Sequence, residues 1–407
     1  MDFEDTQEEA DFRAEARAFL DKHATALEPG EVVKDQFSRN DPSLVESAKT
    51  WQALKKDNGW ACLTWPTAYG GRDASPIQQV IWTQEESRYR VPPNIFAIGI
   101  GMLGPTLMKH GTDEQKSKHL ERLARGDDIW CQLFSEPAAG SDVAGLRTRA
   151  VRDGDDWIIN GQKIWTTGAH FCDYGMVITR SDPDAPKHKG LTYFIVDMTA
   201  PGVEIRPIQQ INGGAMFNEV FFTDVRIPDS NRVGEINEGW QGAITTLMNE
   251  RATIQSRGIG PLGPMELIRM ASETEGLRGK AIDDNAVRQK LADFYVKTAG
   301  LKYAGYRTLT ALSKGAIPGP ESSIGKMVGG PLRQSMAEFG MELQGIAGSL
   351  MDSEDGCQLA YMSAPSGRIA GGTDEIMRNI LAERVLGLPA EPRVDKDVSF
   401  RDIPKGV

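Results

Sequence analysis

The chain has 407 residues, with 46 Lys and Arg against 57 Asp and Glu, a formal charge of -11, and 40% hydrophobic residues. That balance excludes a disordered or fibrous chain, and the length implies two or three domains with room to bury a cofactor. The longest basic runs are Lys55-Lys56 and Lys187-His188-Lys189, too short to track a phosphate backbone, so nucleic acid is not an expected partner.

In chain order, apolar residues recur at helical spacing over residues 5–126, as in Phe12, Ala16, Phe19 and Leu20, which predicts an all-helical first third. Short β-rich runs separated by Asp, Pro and Gly follow, at 157–159, 175–179, 191–196 and 219–223. Helical periodicity then returns over 240–258, 263–274, 285–312, 326–340 and 375–386. The expected organisation is an α-β-α chain of residues 1–128, 129–235 and 236–388. A tail at 389–407, with Pro392, Pro404 and mixed charges, is expected to dock weakly or not at all.

Cys62, Cys131, Cys172 and Cys357 lie far apart without a CxxC pair, which suits reduced core thiols better than a disulfide frame or zinc ligands. The start is acidic and polar, unlike a signal peptide, and the uncharged stretch 91–108 contains Pro92, Pro93, Pro105 and three glycines. Both features point to a soluble, cytoplasmic protein. Gly99, Gly101 and Gly104 have dinucleotide-loop spacing, but no strand-helix alternation surrounds them. Close helix packing is therefore the better reading.

Two segments carry more specific chemistry. The run Trp130-Cys-Gln-Leu-Phe-Ser-Glu-Pro-Ala-Ala-Gly-Ser-Asp142 ends in a small-residue loop with two hydroxyls, suited to a ring's polar edge and to phosphate. Gly161-Gln-Lys-Ile-Trp-Thr-Thr-Gly168 sets an indole and two hydroxyls on a strand, where Trp165 and Thr167 should share a face. Taken alone, such a Trp is more often core than a cofactor shelf.

Together with Val225-Arg-Ile-Pro228 and the late Gly371-Gly-Thr-Asp-Glu375, these segments resemble the acyl-CoA dehydrogenase family over roughly residues 5–388. The resemblance implies an α+β multidomain fold with an N-terminal helical domain, a central small β-barrel and a C-terminal four-helix bundle. It implies an FAD enzyme of lipid metabolism that oxidises an acyl-CoA between Cα and Cβ. By position, Gln132, Leu133, Phe134 and Ser135 would line the flavin ring. Trp165, Thr166 and Thr167 would flank it, with Thr167 bonded to N5. Ser141 would touch phosphates of substrate or cofactor, Gly372 would offer an amide to the thioester oxygen, and Thr373 and Glu375 would bind the adenosine half.

The family's Gly-rich loop against a neighbouring subunit's FAD resembles Glu342-Leu-Gln-Gly345-Ile-Ala-Gly348, with Glu342 where Gln is usual. That exchange puts a negative charge near a diphosphate. The family's Arg-x-x-Phe-Gly is replaced by Glu275-Gly-Leu-Arg278-Gly279, where Arg278 is the candidate substitute. These departures suggest assembly with a different, related chain as an alternative to a homo-oligomeric dimer or tetramer.

Removing a proton alpha to a thioester requires a carboxylate in a dry pocket. Many relatives carry it just before the Gly-Thr of the last motif, where this chain has Gly371. In the branch resembling isovaleryl- and long-chain-acyl-CoA dehydrogenases it precedes an Arg on an earlier helix, and Asn249-Glu250-Arg251 fits. At 100° per residue Trp240, Ala243, Ile244, Leu247 and Ile254 form one apolar face, with Arg251 within it and Glu250 on its flank. Glu250 is the expected base and Arg251 the expected substrate contact, with an electron-transfer flavoprotein as acceptor. An oxygen-using relative on the same fold is the alternative chemistry. The acyl chain's length and type are not legible.

Overall fold

In the first third, two helix starts are set by capping boxes. Ser75 accepts from Gln78 N while Gln78 reaches back to Ser75 N, and Thr112 and Gln115 repeat this capping box. The helices are α1 (Gln7–His23), α2 (Pro42–Asp57), α3 (Pro76–Glu86), α4 (Gly104–His110) and α5 (Asp113–Arg125), the last closed by Gly126 at φ 83°. The glycine-rich stretch is helical too. A Cβ on Gly99 would come within 2.6 Å of Leu123, and one on Gly104 within 2.3 Å of Trp65. These glycines serve close packing, as their surroundings in the sequence imply.

The computed structural model describes residues 5–28, 42–256, 262–276, 279–313, 319–320, 323–351, 356–392, 395 and 397–403. Within them the chain divides into two compact units. One is formed by the described residues among 12–25, 36–253 and 391–407, the other by those among 254–390, 1–11 and 26–35.

The first unit carries an eight-stranded, mostly antiparallel sheet. Its strands are β1 (Trp130–Leu133), β2 (Arg149–Asp153), β3 (Asp156–Thr167), β4 (Tyr174–Arg180), β5 (Leu191–Asp197), β6 (Val203–Ile208), β7 (Phe217–Pro228) and β8 (Arg232–Val233), in the order β8-β5-β4-β2-β3-β7-β6, with β1 parallel to β4. β4 and β5 are buried nearly throughout, which explains their continuous apolar runs. One apolar cluster joins this sheet to the helical first third through Trp65, Leu107, Leu123, Trp130, Phe134, Ile178 and Tyr193.

Helix α6 (Gly239–Ser256) starts on that cluster, burying Ala243 and packing Trp240 and Leu247 against it. Ile244, expected on the same face, is 40% exposed instead. The Ile254 side chain lies outside the description. The tail also departs from expectation: Phe400 N and Arg401 N donate to the carbonyls of Ala185 and Pro183, and the Phe400 ring covers the Arg180 guanidinium at 3.8 Å. An aromatic face on a buried cation gives this short polar segment a reason to dock.

The second unit is helical, with α7 (Pro264–Glu273), α8 (Asn285–Ser313), α9 (Ser323–Leu343), α10 (Cys357–Ser363), α11 (Ser366–Ile369) and α12 (Asp374–Arg384). α9 is central, and Leu267, Phe294, Leu332, Met336, Phe339 and Cys357 form the core. Among the described residues no helix is long and apolar enough to cross a membrane.

Candidate functional site

After β1 the chain turns through Phe134, Ser135 and Glu136. Gln132 and Ser135 are half-buried, whereas Leu133 and Phe134 point into the core, the Phe134 ring meeting Tyr193 edge-on at 5.7 Å. A ligand at this turn can therefore meet two polar side chains and the main chain, but not the Leu133 or Phe134 side chains. The Ser135 carbonyl accepts from Ile164 N at 2.9 Å, which fastens the turn to β3. Ser141 is exposed, beside Asp142, whose carboxylate is 3.0 Å from Lys187 Nζ.

β3 does not keep strict alternation. Its register with β7 shifts between Lys163 and Thr166, and those two residues are both buried although three apart. The extra residue of this bulge puts Trp165 at φ 61°, 57% exposed, edge-on to Phe217 at 6.0 Å. A bulky residue with left-handed backbone is costly, and such strain clusters at functional positions. The indole is neither core nor flush with a regular strand. Thr167 is half-buried, and the buried Thr166 Oγ1 has no hydrogen-bond partner among the described residues.

Missed by the sequence reading is what lies between these segments. Lys163, fully buried, donates to Glu136 Oε1 at 2.8 Å and to the Phe134 carbonyl at 3.0 Å. Glu136 also accepts from Arg147 N at 2.6 Å and Thr148 N at 2.9 Å. Burial alone would raise the Glu136 carboxyl, but Lys163 and these donors outweigh it and hold it below its ordinary value. Burial pulls Lys163 down from the lysine range, offset in part by Glu136. The strand, DWIINGQKIWTT, mixes polar and apolar residues, so nothing local marks Lys163 as buried.

Glu250 is half-buried on α6. One turn earlier, Thr246 Oγ1 is 2.8 Å from Thr106 Oγ1 and 3.2 Å from Tyr193 Oη, all three fully buried. Thr245 adds a 2.9 Å bond to His110 Nε2. Residues four apart share a helical face, so Glu250 follows the side of α6 that meets Tyr193, the ring on which Phe134 rests. The Arg251 side chain lies outside the described residues.

In the helical unit, Gly371 and Gly372 have φ 66° and 95°, and Thr373 caps α12 by accepting from Ile376 N at 3.3 Å. Lys326 Nζ donates to the Gly367 and Gly372 carbonyls, and Arg368 Nε holds the buried Asp374 at 2.7 Å. The turn is thus a fixed cradle of main-chain groups, with Glu375 exposed beside it. Gly345 is at φ 57° in a short exposed turn, and Gly348 is buried where a Cβ would meet the Met341 carbonyl at 2.4 Å, so the position requires glycine. Glu342 is exposed. Arg278 lies outside the described residues.

Residues 6–127 match the acyl-CoA dehydrogenase N-terminal domain, 131–225 its middle domain and 237–386 its C-terminal domain. The acyl-CoA dehydrogenase FadE34 of Mycobacterium tuberculosis is 40% identical over 83% of this chain. The chain spans about half of that relative's length, 46%. The acyl-CoA dehydrogenase IpdE1 of the same organism is 37% identical over 86% of this chain and 90% of its own. Among solved structures, the Tcur3481-Tcur3483 steroid ACAD matches with a TM-score of 0.81 at 29% identity, covering 96% of this chain and all of that one. The ChsE4-ChsE5 complex from Mycobacterium tuberculosis matches at 0.75 and 29%, with the same coverage. Three consecutive domain matches and these identities show that the chain belongs to the acyl-CoA dehydrogenase family, a family of oxidoreductases.

Proposed function

We propose that the chain carries out FAD-dependent α,β-dehydrogenation of an acyl-CoA thioester to the trans-2-enoyl-CoA, with Glu250 as the base. The observation that carries this reading is the anchoring of α6 through Thr246 to Tyr193, one turn before Glu250 and against the ring that meets Phe134. It supports a carboxylate held at a defined height over the Phe134-Ser135 turn.

The residues present suit a flavin. An exposed indole on a bulge, the orphaned Thr166 Oγ1 and the half-buried Ser135 and Thr167 offer an apolar face with polar groups at its margin. Gln132, Ser135, Trp165, Thr166 and Thr167 would hold the ring, Ser141 would contact phosphate, and Thr373 and Glu375 would contact the adenosine half. Bound FAD would supply the two-electron acceptor that takes the hydrogen leaving Cβ. Glu250 removes the proton from Cα, and the partly buried surroundings of the carboxylate limit competition from water. Arg251 follows as the substrate contact, and the amide at Gly372 as a donor to the thioester oxygen.

Glu250→Gln tests the assignment: the variant should bind FAD as the wild type does, while anaerobic bleaching by an acyl-CoA panel falls by about a thousandfold or more. Retained bleaching rejects Glu250 as base. Reoxidation through an electron-transfer flavoprotein, rather than rapidly by air, separates a dehydrogenase from an oxygen-using enzyme.

A second reading is that this chain assembles with a related chain and each supplies part of the flavin sites. The exposed Glu342 carboxylate near Gly345 favours it, as does the likeness to the ChsE4-ChsE5 complex. Ile346, 94% exposed in the same loop, is an apolar side chain suited to a partner. A colourless protein that binds FAD only after mixing with a related chain would establish this reading.

A further inference from the structure

Lys163 does more than neutralise a carboxylate. An unpaired ammonium at a site with no exposure would be expensive, and Glu136 Oε1 at 2.8 Å answers that need by itself. The second bond, to the Phe134 carbonyl at 3.0 Å, goes to a neutral main-chain group. That carbonyl belongs to the peptide whose nitrogen is Ser135 N. The peptide is trans, as are all those described, so its N–H points opposite to its C=O, away from Lys163. A cation on the carbonyl oxygen strengthens the N–H as a donor, because hydrogen bonds in a chain polarise one another. Three segments meet at this pair: the turn after β1, β3 two residues before Trp165, and Arg147-Thr148 just before β2, whose amides Glu136 ties down.

We infer that Lys163 is a positioning residue for the flavin ring: it fixes and polarises the Phe134-Ser135 peptide so that the Ser135 amide is presented to the ring's polar edge. This rests on the reading of the chain as an FAD enzyme. The ion pair with Glu136 stabilises the fold, and the bond to Phe134 serves the cofactor. The two functions are separable because a carboxylate at position 163 keeps an ion pair with a lysine at 136 but has no proton to donate to the Phe134 carbonyl.

The experiment compares wild type, Lys163→Met, the swap Lys163→Glu with Glu136→Lys, and Glu136→Gln. It measures the melting temperature of FAD-free protein, the FAD dissociation constant from flavin fluorescence, and the visible band of the bound flavin. Lys163→Met should lower the melting temperature, weaken FAD binding about tenfold or more and shift the band. The swap should regain melting temperature relative to Lys163→Met without regaining affinity. Glu136→Gln, which leaves the bond to Phe134, should lose melting temperature while FAD affinity stays within about threefold of wild type. The inference is overturned if Lys163→Met binds FAD normally, if the swap restores affinity, or if Glu136→Gln loses affinity as severely as Lys163→Met. Should the swap fail to fold, Glu136→Gln alone decides. A wild-type protein that binds no FAD, alone or with a related chain, overturns the functional reading and this inference with it.

Discussion

Thr246 Oγ1 stands 3.2 Å from Tyr193 Oη and 2.8 Å from Thr106 Oγ1, so one buried hydroxyl joins helix α6 to both the sheet and the helical first third. Glu250 sits one turn further along the same helix. The position of the proposed base is thus set by a residue with no chemistry of its own.

Thr246→Val keeps the shape and removes both bonds. Thr106 retains its bond to the Met102 carbonyl, but the Tyr193 hydroxyl is left buried. The expected cost is about 1–2 kcal/mol of stability. The rate of flavin reduction should also fall, although Glu250 is chemically intact, because small displacements of a base are costly. Melting curves and single-turnover reduction check this; full rate at reduced stability would show that α6 needs no such anchor.

His119 predicts a pH dependence. It is 2% exposed, wedged edge-on against Trp130 and Tyr174 at 5.1 Å each, and burial pushes its imidazole down from 6.5 to about 4. Between those values the unfolded chain takes up a proton that the folded chain refuses. The stability from this group is therefore complete above about pH 6.5 and lost as pH falls toward 4. At pH 5 the loss is about 2 kcal/mol. His119→Phe, which keeps a ring between the two aromatics, should be less sensitive to acid by that amount. Unfolding free energies at pH 7 and pH 5 decide, and equal slopes for both proteins would refute it.

Much of this fold was legible because periodicity reports burial. β4 and β5, α7, α8 and α12 fall within a few residues of where their apolar patterns put them. The catalytic candidate on α6 came from a resemblance joined to a helical face, and that face held at Trp240, Ala243 and Leu247 but not at the exposed Ile244. What stayed illegible depends on contacts distant in sequence. The bulge at Trp165 shows only in the pairing of β3 with β7, and strict alternation would have hidden the strained backbone. Lys163 and Glu136 are 27 residues apart, and nothing local says that they share a buried site.

The tail is the other contact that composition concealed, and it yields the last prediction. Arg180 is buried, donates to the Lys187 and Ala144 carbonyls at 2.8 and 2.6 Å, and leaves Nε without a partner among the described residues. Burial pulls its guanidinium down to about 10. The Phe400 face lies against it, and Lys187 bridges Asp142 and Asp395 alongside. Phe400→Ala removes the aromatic face but admits water to Nε, so the two effects partly offset, and the net loss should be about 1 kcal/mol. The clearer signal is local: the amides of Phe400 and Arg401, bonded to Ala185 and Pro183, should exchange with solvent at least about tenfold faster in the variant. Unchanged exchange would mean that the main-chain bonds, rather than the ring on Arg180, hold the tail in place.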